Sequence, residues 1–318
     1  MAACVESMFY STDEYYSQRN VPWHGLGVPV IGSPTSTEAI IAAGLNWHVN
    51  PLPIYNADGV VIPGFKANTR DSDNTVLGIV SNRYQIIQNN EAFDFTDSLI
   101  DDGMTYETAG SLLNGKRVWL LGKMPKTTIL NESVEPYVCF MNTHDGTGAI
   151  KVCMTPIRVV CNNTLNLALN SASRVWSTKH IGNINAKLVE ARNTLGLVNT
   201  YMTELAKECE SLATKKFDKE DLLKAFDSVF PINYATASPK KIRNTSDIKD
   251  SLVSCLNAPD VIPFKNTAYG AMMAVTDYAN HAIPFRDTTT YAENRWNKII
   301  TGHPFVDKMY GRVKDMVA

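Results

Sequence analysis

The first 150 residues alternate apolar and polar positions over short runs separated by turn residues. Successive side chains of a strand point to opposite faces, so this alternation is typical of half-buried β-strands. Ala57-Asp58-Gly59 lies between two of the runs and predicts a hairpin turn. The predicted strands are residues 45–55, 60–68, 76–80, 105–111, 117–123, 137–142 and 149–154, and a short helix is predicted over 91–100.

From residue 184 onward the apolar positions recur with helical spacing. Leu188, Leu195, Met202 and Leu205 belong to a stripe with a seven-residue repeat, which we expect one long helix to bury. The same stripe could pair two copies of the chain, so a homo-oligomer is a second interpretation. Further helices are predicted over 219–229, 247–256, 268–279 and 291–300, and residues 231–241 and 258–263 are predicted loops.

These patterns predict the fold class. The strands cluster without regularly alternating helices, which favours antiparallel pairing over parallel crossovers. We therefore expect the α+β class, with an antiparallel sheet and short helices followed by a mainly helical C-terminal part. The predicted domains are a strand-rich α+β domain over residues 1–183 and a helical part packed on it over residues 184–318.

The amino-acid composition favours a soluble globular protein over a membrane-spanning or secreted one. A hydrophobic content of 44% with 19% charged residues predicts a soluble chain with a sizeable core. A bilayer span needs about 18 consecutive apolar residues, and no window approaches that length. Glu6, Asp13 and Glu14 occupy positions where a signal peptide is basic and then apolar. We expect a cytoplasmic protein with no membrane partner.

Charge is unevenly distributed along the chain. Residues 1–150 hold 8 Lys and Arg against 16 Asp and Glu, a net charge of −8, whereas residues 151–250 hold 15 against 10, a net charge of +5. Residues 146–189 contain no carboxylate side chain at all. This asymmetry indicates either a face that meets a polyanion or an acidic part that packs against a basic part.

The carboxylate-free segment supplies most of the candidate binding residues. Asn162 and Asn163 follow a β-branched run and predict a helix N-terminus close to Arg158, where backbone N–H groups and a guanidinium would bind phosphate. A well-capped structural helix explains the same residues equally well. Tyr84 and Trp176 are aromatic residues among polar and basic neighbours, which suits stacking on unpaired bases. The candidate nucleic-acid-binding residues are Lys151, Arg158, Asn162, Asn163, Arg174, Lys179, Lys187, Tyr84 and Trp176.

No catalytic motif of comparable specificity is present in the sequence. His144-Asp145 could form an acid/base pair, although a polar pair before Gly-Thr-Gly is more simply a hairpin corner in which Asp145 accepts backbone N–H groups. The histidines lack the spacing of a metal site, and the chain has no phosphate-binding loop or nucleophile elbow. We therefore expect no cofactor, no metal and no catalytic residue, and favour a non-enzyme.

Several phrases together resemble a family of phage/plasmid-related proteins of unknown function that occurs in prophages, phages and plasmids. The phrases are Pro22-Trp-His-Gly-Leu-Gly27, Val80-Ser-Asn-Arg-Tyr-Gln85, Ala109-Gly-Ser111, Arg117-Val-Trp-Leu-Leu121, His144-Asp-Gly-Thr147, residues 155–168 and Ala274-Val-Thr-Asp-Tyr-Ala-Asn-His281. The resemblance implies a mobile-element context near genes of DNA metabolism and counter-defence. A looser similarity links residues 37–155 to single-strand annealing proteins, in which a helix lies across a sheet.

The leading hypothesis is a non-enzymatic, mobile-element-encoded protein that binds or anneals single-stranded nucleic acid through residues 151–187. The alternative is an interaction protein that inhibits a host defence or DNA-metabolism factor through its acidic first half. The two hypotheses differ in where they expect the carboxylate-free segment to lie. An exposed groove favours nucleic acid, and a position facing the acidic surface of a neighbouring subunit favours a structural role.

Overall fold

The computed structural model describes residues 5–12, 28–32, 34–97, 99–100, 103–158, 175–195, 198–281 and 303–317. The chain divides into two compact units. The first unit comprises residues 1–125, 137–154 and 175–198, and the second comprises residues 126–136, 155–174 and 199–318. Compactness alone does not show that a unit folds independently, so the division of the chain into domains at residue 184 stays a prediction.

The strands of the described residues form a large and a small sheet. Their bounds are β1 Val5–Thr12, β2 Val28–Ile31, β3 Val49–Tyr55, β4 Val61–Arg70, β5 Val76–Ser81, β6 Thr105–Leu112, β7 Arg117–Lys123, β8 Thr127–Ile129, β9 Glu132–Thr143, β10 Ile150–Arg158 and β11 Val175–Thr178. The helices are α1 Ser36–Ala42, α2 Asn89–Asp97, α3 Ile184–Leu195, α4 Val198–Thr214, α5 Lys219–Val229, α6 Pro239–Cys255, α7 Ala268–His281 and α8 Pro304–Val317.

The large sheet has the strand order β11-β10-β9-β7-β6-β1-β2, and β8 pairs with the beginning of β9. The pairs β10–β11, β9–β7, β7–β6 and β6–β1 are antiparallel, whereas β1 and β2 run parallel. The buried side chains of its central strands include Phe9, Ala109, Val118, Leu120 and Phe140. The α+β class is confirmed, and the parallel pair is a departure from the purely antiparallel sheet that the sequence predicts.

The small sheet belongs to the first unit and has the antiparallel order β3-β4-β5. One of its faces is buried and includes Val49, Asn68 and Val80. At the outer edge of β3, the N–H and C=O groups of Val49 bond to the side-chain amide of Gln88 at 2.9 and 3.0 Å. Pro51 and Pro53 follow with the same orientation, because alternate residues of an antiparallel strand direct their backbone groups to the same side.

The second unit holds α4 to α8. Its central element is α7, in which Met272, Met273 and Val275 are fully buried, as expected for a helix that is apolar on all sides. α5 begins at a capping box, where Asp218 accepts the backbone N–H of Asp221 at 2.9 Å and Asp221 accepts that of Asp218 at 3.2 Å. The bounds predicted for α5 from the sequence agree with those of the structure.

The apolar stripe from residue 188 onward lies on α3 and α4, on either side of residues 196 and 197. Met202 and Leu205 are buried, as predicted, whereas Leu188 is only half-buried. The side chain of Leu195 lies outside the described residues, as do residues 196 and 197 and the predicted helix 291–300.

α6 begins at Pro239, eight residues before the predicted start. Ser238 accepts the backbone N–H of Lys241 at 3.3 Å, and Pro239 occupies the first helical position, where its missing N–H costs nothing. The prediction of a loop over residues 231–241 was wrong at its end, because a Ser-Pro step before a basic run is a helix start.

Candidate functional site

Two distant segments of the first unit meet through a pair of hydrogen bonds. The backbone N–H of Gln85 donates to the carbonyl oxygen of His180 at 2.7 Å, and Nδ1 of His180 lies 3.0 Å from the carbonyl oxygen of Gln85. The rings of Tyr84 and His180 are stacked, with centroids 4.5 Å apart and planes 11° from parallel. The Tyr84 hydroxyl donates to the carbonyl oxygen of Thr143.

The end of β9 places His144 beside this stack. His144 is fully buried, with Nε2 lying 3.2 Å from Oδ1 of Asn89 and the edge of the Trp47 ring against its own ring. Asn68, from β4, donates its side-chain N–H to the carbonyl oxygen of His144 at 2.7 Å. Side chains from β4, from the start of α2 and from the segment before β3 thus hold His144 in place.

Asp145, the next residue, forms the hairpin corner that the sequence predicts. Its Oδ1 accepts the backbone N–H of Thr147 at 2.9 Å and the Thr147 hydroxyl at 2.7 Å. β5 passes so close that a Cβ on Gly78 would lie 2.5 Å from the Cα of Asp145. Only glycine fits at position 78 without a shift of the backbone.

The hydrogen bonds assign the tautomers of both histidines. A carbonyl oxygen can only accept, so the proton of His180 is on Nδ1 and its Nε2 has a bare lone pair. The amide nitrogen of Asn89 donates to the carbonyl oxygen of Leu45, so its Oδ1 accepts from Nε2 of His144 and leaves Nδ1 bare. Within the described part of the chain, Nδ1 of His144, Nε2 of His180 and Oδ1 of Asn68 have no hydrogen-bond partner.

Both imidazoles are held in the neutral form. Burial, and after it the neighbouring His180, lowers the pKa of His144 from its ordinary 6.5 to about 3. Burial also lowers the pKa of His180. Neutral rings with bare nitrogens accept hydrogen bonds and do not donate protons near pH 7.

Metal ligation by a larger side-chain group finds no support among the residues that the structure describes. No group of three or more His, Cys, Asp or Glu side chains is arranged there to hold a metal ion.

The thiols of Cys139 and Cys153 lie close together in the core. The hydrogen bond between them, together with burial, raises the pKa of Cys139 well above its ordinary value. Cys139 is therefore a protonated thiol in the core.

A group of cations surrounds the Tyr84–His180 stack, and we call it the basic rim: Lys66, Arg83, Lys179 and Lys187. Arg83 and Lys179 are exposed, and each immediately precedes one of the two stacked rings. The ammonium group of Lys66 donates to the carbonyl oxygen of Tyr84 at 2.8 Å. That of Lys187 donates to the carbonyl oxygen of Ile181 at 2.6 Å. The pairing of Gln85 with His180 thus brings the segments that carry these four cations together.

Of the predicted binding residues, Lys179 and Lys187 belong to the basic rim. Tyr84 is 7% exposed, with its ring stacked on His180 and its hydroxyl bonded. This geometry leaves no open ring face for a base, so the structure assigns Tyr84 to the support of the rim rather than to the stacking role predicted for it.

Lys151 and Trp176 lie on opposite faces of the β10–β11 pair. The register pairs Lys151 with Ser177 and Val152 with Trp176, and adjacent strand residues point to opposite faces. The predicted single surface does not include both. Arg158 ends β10, and its side chain lies outside the described residues, as do Asn162, Asn163 and Arg174 entirely.

Sequence reasoning missed Lys66 and Arg83 as members of the site. Arg83 stands in the phrase Ser-Asn-Arg-Tyr-Gln, which carries part of the family resemblance, so that phrase contained a usable signal. Lys66 has no such signal, because it stands alone between the apolar residues Phe65 and Ala67.

Comparison with known proteins gives a family for the chain. Among the described residues no helix is long and apolar enough to cross a membrane. Neither the curated proteins nor the solved structures include a match. A family model described as "Domain of unknown function (DUF932)" matches residues 76–300, well over half of the chain, and the matched range includes the stacked rings, the buried His144 and three of the four rim cations. The chain therefore belongs to the DUF932 family.

Proposed function

We propose that this protein binds single-stranded nucleic acid, without catalysing a reaction on it, and that the basic rim contacts the phosphates. The observation that carries the proposal is the pairing of Gln85 with His180, which brings the exposed Arg83 and Lys179 to the same stack of rings. The stack is rigid because both rings are buried and hydrogen-bonded. The stack fixes the backbone from which Arg83 and Lys179 extend, which lowers the conformational entropy that they lose on binding a phosphate backbone.

Release of counterions from the nucleic acid would contribute to binding at the basic rim. Each phosphate that the protein neutralises on a single strand releases condensed cations, so the affinity falls as salt rises. Lys66 and Lys187 direct their ammonium groups to carbonyl oxygens rather than to carboxylates, so their charge is not cancelled by these contacts. Asp145 is the carboxylate that acts on the pKa values of both histidines, and it opposes part of this field.

The resemblance to phage/plasmid-related proteins favours a role in the DNA recombination of a mobile element within a bacterial cell. Single strands are the intermediates that such recombination exposes. Annealing would additionally require several copies of the chain bound along one nucleic-acid strand. The sequence predicted that the apolar stripe on α4 could join such copies. That stripe is buried at Met202 and Leu205, so an oligomer would need another surface.

A salt titration tests the proposal. We expect a labelled oligothymidylate to bind the wild-type protein with a log affinity that falls by roughly 0.7 per phosphate contact with log salt. The double variant Arg83→Gln, Lys179→Gln should bind more weakly at low salt and should lower this slope by up to about 0.7 for each charge removed. Fluorescence anisotropy at five salt concentrations measures both quantities.

The matched control is Lys219→Gln with Lys224→Gln, which removes two exposed cations from α5 and changes the net charge equally. It should leave the slope as in the wild type. Absence of binding at low salt, or equal slopes for the two double variants, would rule out the basic rim as a nucleic-acid site. The inhibitor of a host factor would then become the leading hypothesis.

A further inference from the structure

The other face of the small sheet is apolar and exposed. The register aligns Leu52, Ala67 and Ile79 across the three strands, and Phe65 and Val76 lie on the same face as these residues. The exposed fractions are 45% for Leu52, 50% for Phe65, 52% for Val76 and 61% for Ile79, whereas Ala67 is buried. The exposed surface is therefore made by the larger side chains around the centre of the sheet.

This face carries no charged side chain. The other residues that the register places on it are Asn50, Thr69 and Ser81, which are polar and uncharged. Lys66, the one cation near the middle of β4, lies on the opposite face and donates its ammonium group to the carbonyl oxygen of Tyr84. A charged partner has no opposite charge to meet here. Charged residues are depleted in the same way at the centre of protein–protein interfaces.

The end of the β3–β4 hairpin extends the apolar surface. Tyr55, Val60, Val61 and Ile62 are all exposed, and Asp58 is the one charged residue between positions 50 and 65. A two-stranded hairpin without a covering layer is marginally stable in water. A hairpin of this composition therefore gains stability when another apolar surface covers it.

The exposed area matches that of a dimer interface. A large apolar side chain such as Phe presents roughly 150 to 250 Å² when it is fully exposed, so the eight partly exposed residues named above present on the order of 600 Å². The largest apolar patch of a typical monomer has about 300 to 600 Å². A standard interface buries about 800 Å² per partner, and about 65% of it is apolar in homodimers, which is roughly 500 Å².

We infer that two copies of this chain form a dimer by packing these surfaces together. We call the surface the dimer face: Leu52, Phe65, Val76 and Ile79 with residues 55–62 of the hairpin end. Two-fold symmetry brings the same surface of each copy into contact, so an uncharged apolar face meets its equal. The two small sheets would then pack like the layers of a sandwich, about 10 Å apart.

The dimer goes beyond the proposed function and does not depend on it. Met202 and Leu205 are buried within one copy, so they leave an oligomer without a contact on α4, and the dimer face supplies one. Sedimentation without nucleic acid measures the dimer alone, and the salt titration with oligothymidylate measures the basic rim alone. Failure of one claim is therefore visible without the other.

Like charges on the dimer face test the inference. The wild-type protein should show a mass that rises from monomer to dimer with concentration in analytical ultracentrifugation. In the double variant Phe65→Glu, Ile79→Glu, carboxylates of the two copies would repel each other in a surface that has lost two apolar side chains. Its dimer Kd should rise by at least about 30-fold, the loss expected from one central interface residue. Because both positions are exposed, the thermal midpoint of the monomer should stay close to that of the wild type.

The matched control is Val189→Glu with Tyr234→Glu, which places the same charges at positions that are 55% and 67% exposed elsewhere. It should leave the dimer Kd as in the wild type. The variant Phe65→Lys, Ile79→Lys should also be monomeric by itself. An equimolar mixture of the lysine and glutamate variants should dimerise again, because opposite charges then face each other across the interface.

Four outcomes would overturn the dimer. The wild type could stay monomeric at every concentration up to its solubility limit, or the control could weaken the dimer as much as the glutamate variant does. A mixture that stays monomeric would show that the face does not pair with itself. If the monomeric wild type instead sediments with phosphatidylcholine vesicles and the glutamate variant does not, the face binds lipid.

Discussion

At the scale of single residues, the chemistry of the site depends on contacts between residues far apart in sequence. The phrase His144-Asp145-Gly146 predicts a turn, and the structure confirms that Asp145 accepts the N–H of Thr147. The neutral state of His144 could not be predicted, because Asn89 and Asn68 fix its position from 55 and 76 residues away. Local sequence specifies turn chemistry, whereas burial and tautomer depend on the tertiary structure.

The low pKa of His144 predicts a loss of stability in mild acid. In the unfolded chain this imidazole takes up a proton near its ordinary pKa of 6.5, whereas in the folded chain it does so only near 3. Between these values the unfolded state binds more protons, so the free energy of unfolding falls as the pH falls, by up to about 1.4 kcal/mol per pH unit. Urea unfolding at pH 7.0, 6.0, 5.0 and 4.5 measures this slope.

His144→Gln is the variant that isolates the effect. It should be less stable than the wild type at pH 7, since Asn89 and Asn68 lose their fitted partner, and its stability should depend less on pH between 6.5 and 4.5. His180, whose pKa is also lowered, supplies the remaining slope. The pKa of Asp73 is held below its usual range by Arg70, so its contribution lies at lower pH. Parallel curves for the two proteins would contradict the assignment.

At the scale of elements, the sequence predicted most strands and helices but not their partners. The bounds of β7 and α5 agree with the prediction because alternation and a capping box are local signals. The division into two sheets and the parallel pairing of β1 with β2 are not local, since pairing joins residues that the pattern alone leaves unassigned. For the same reason the sequence did not predict the basic rim or the exposed apolar face of the small sheet.

Two glycines in helices of the second unit give opposite predictions. A Cβ on Gly270, in α7, would collide with the carbonyl oxygen of Phe264, so Gly270→Ala should destabilise the protein by about 1 to 3 kcal/mol. A Cβ on Gly311, in α8, meets nothing within 4 Å, so Gly311→Ala should stabilise it by up to about 1 kcal/mol. Thermal unfolding of the two variants should give shifts of opposite sign, and a shared sign would contradict the packing of α7.

At the scale of the whole molecule, each unit is built from separate stretches of the chain. The first unit ends at residue 198, yet residues 126–136 and 155–174, which precede that point, belong to the second. The sequence predicted one boundary because the change from strands to helices near residue 184 is abrupt. Where two units alternate along the chain, the composition does not change at each boundary. A single strand can begin in one unit and end in the other, as β9 does.

Interleaving predicts that a fragment of residues 1–198 folds poorly. It would contain residues 126–136 and 155–174 without the helices of the second unit, which leaves apolar side chains such as Ile129 and Val134 uncovered. We expect its urea unfolding, followed by circular dichroism, to be broader than that of the full chain, with an m value below that expected for its length. A single sharp transition with the full m value would show that the first unit folds by itself.

The edge of β3 has a consequence for the behaviour of the protein at high concentration. A sheet with an open apolar face and a free edge is a template for aggregation, because another chain can add as a further strand. Pro51 and Pro53 have no N–H to offer, and the N–H of Val49 is already bonded to Gln88. The edge of β3 therefore does not accept a further strand, although Leu52 beside it is exposed. The double variant Pro51→Val, Pro53→Val should form fibrils sooner, which a shorter lag time in a thioflavin fluorescence assay would show.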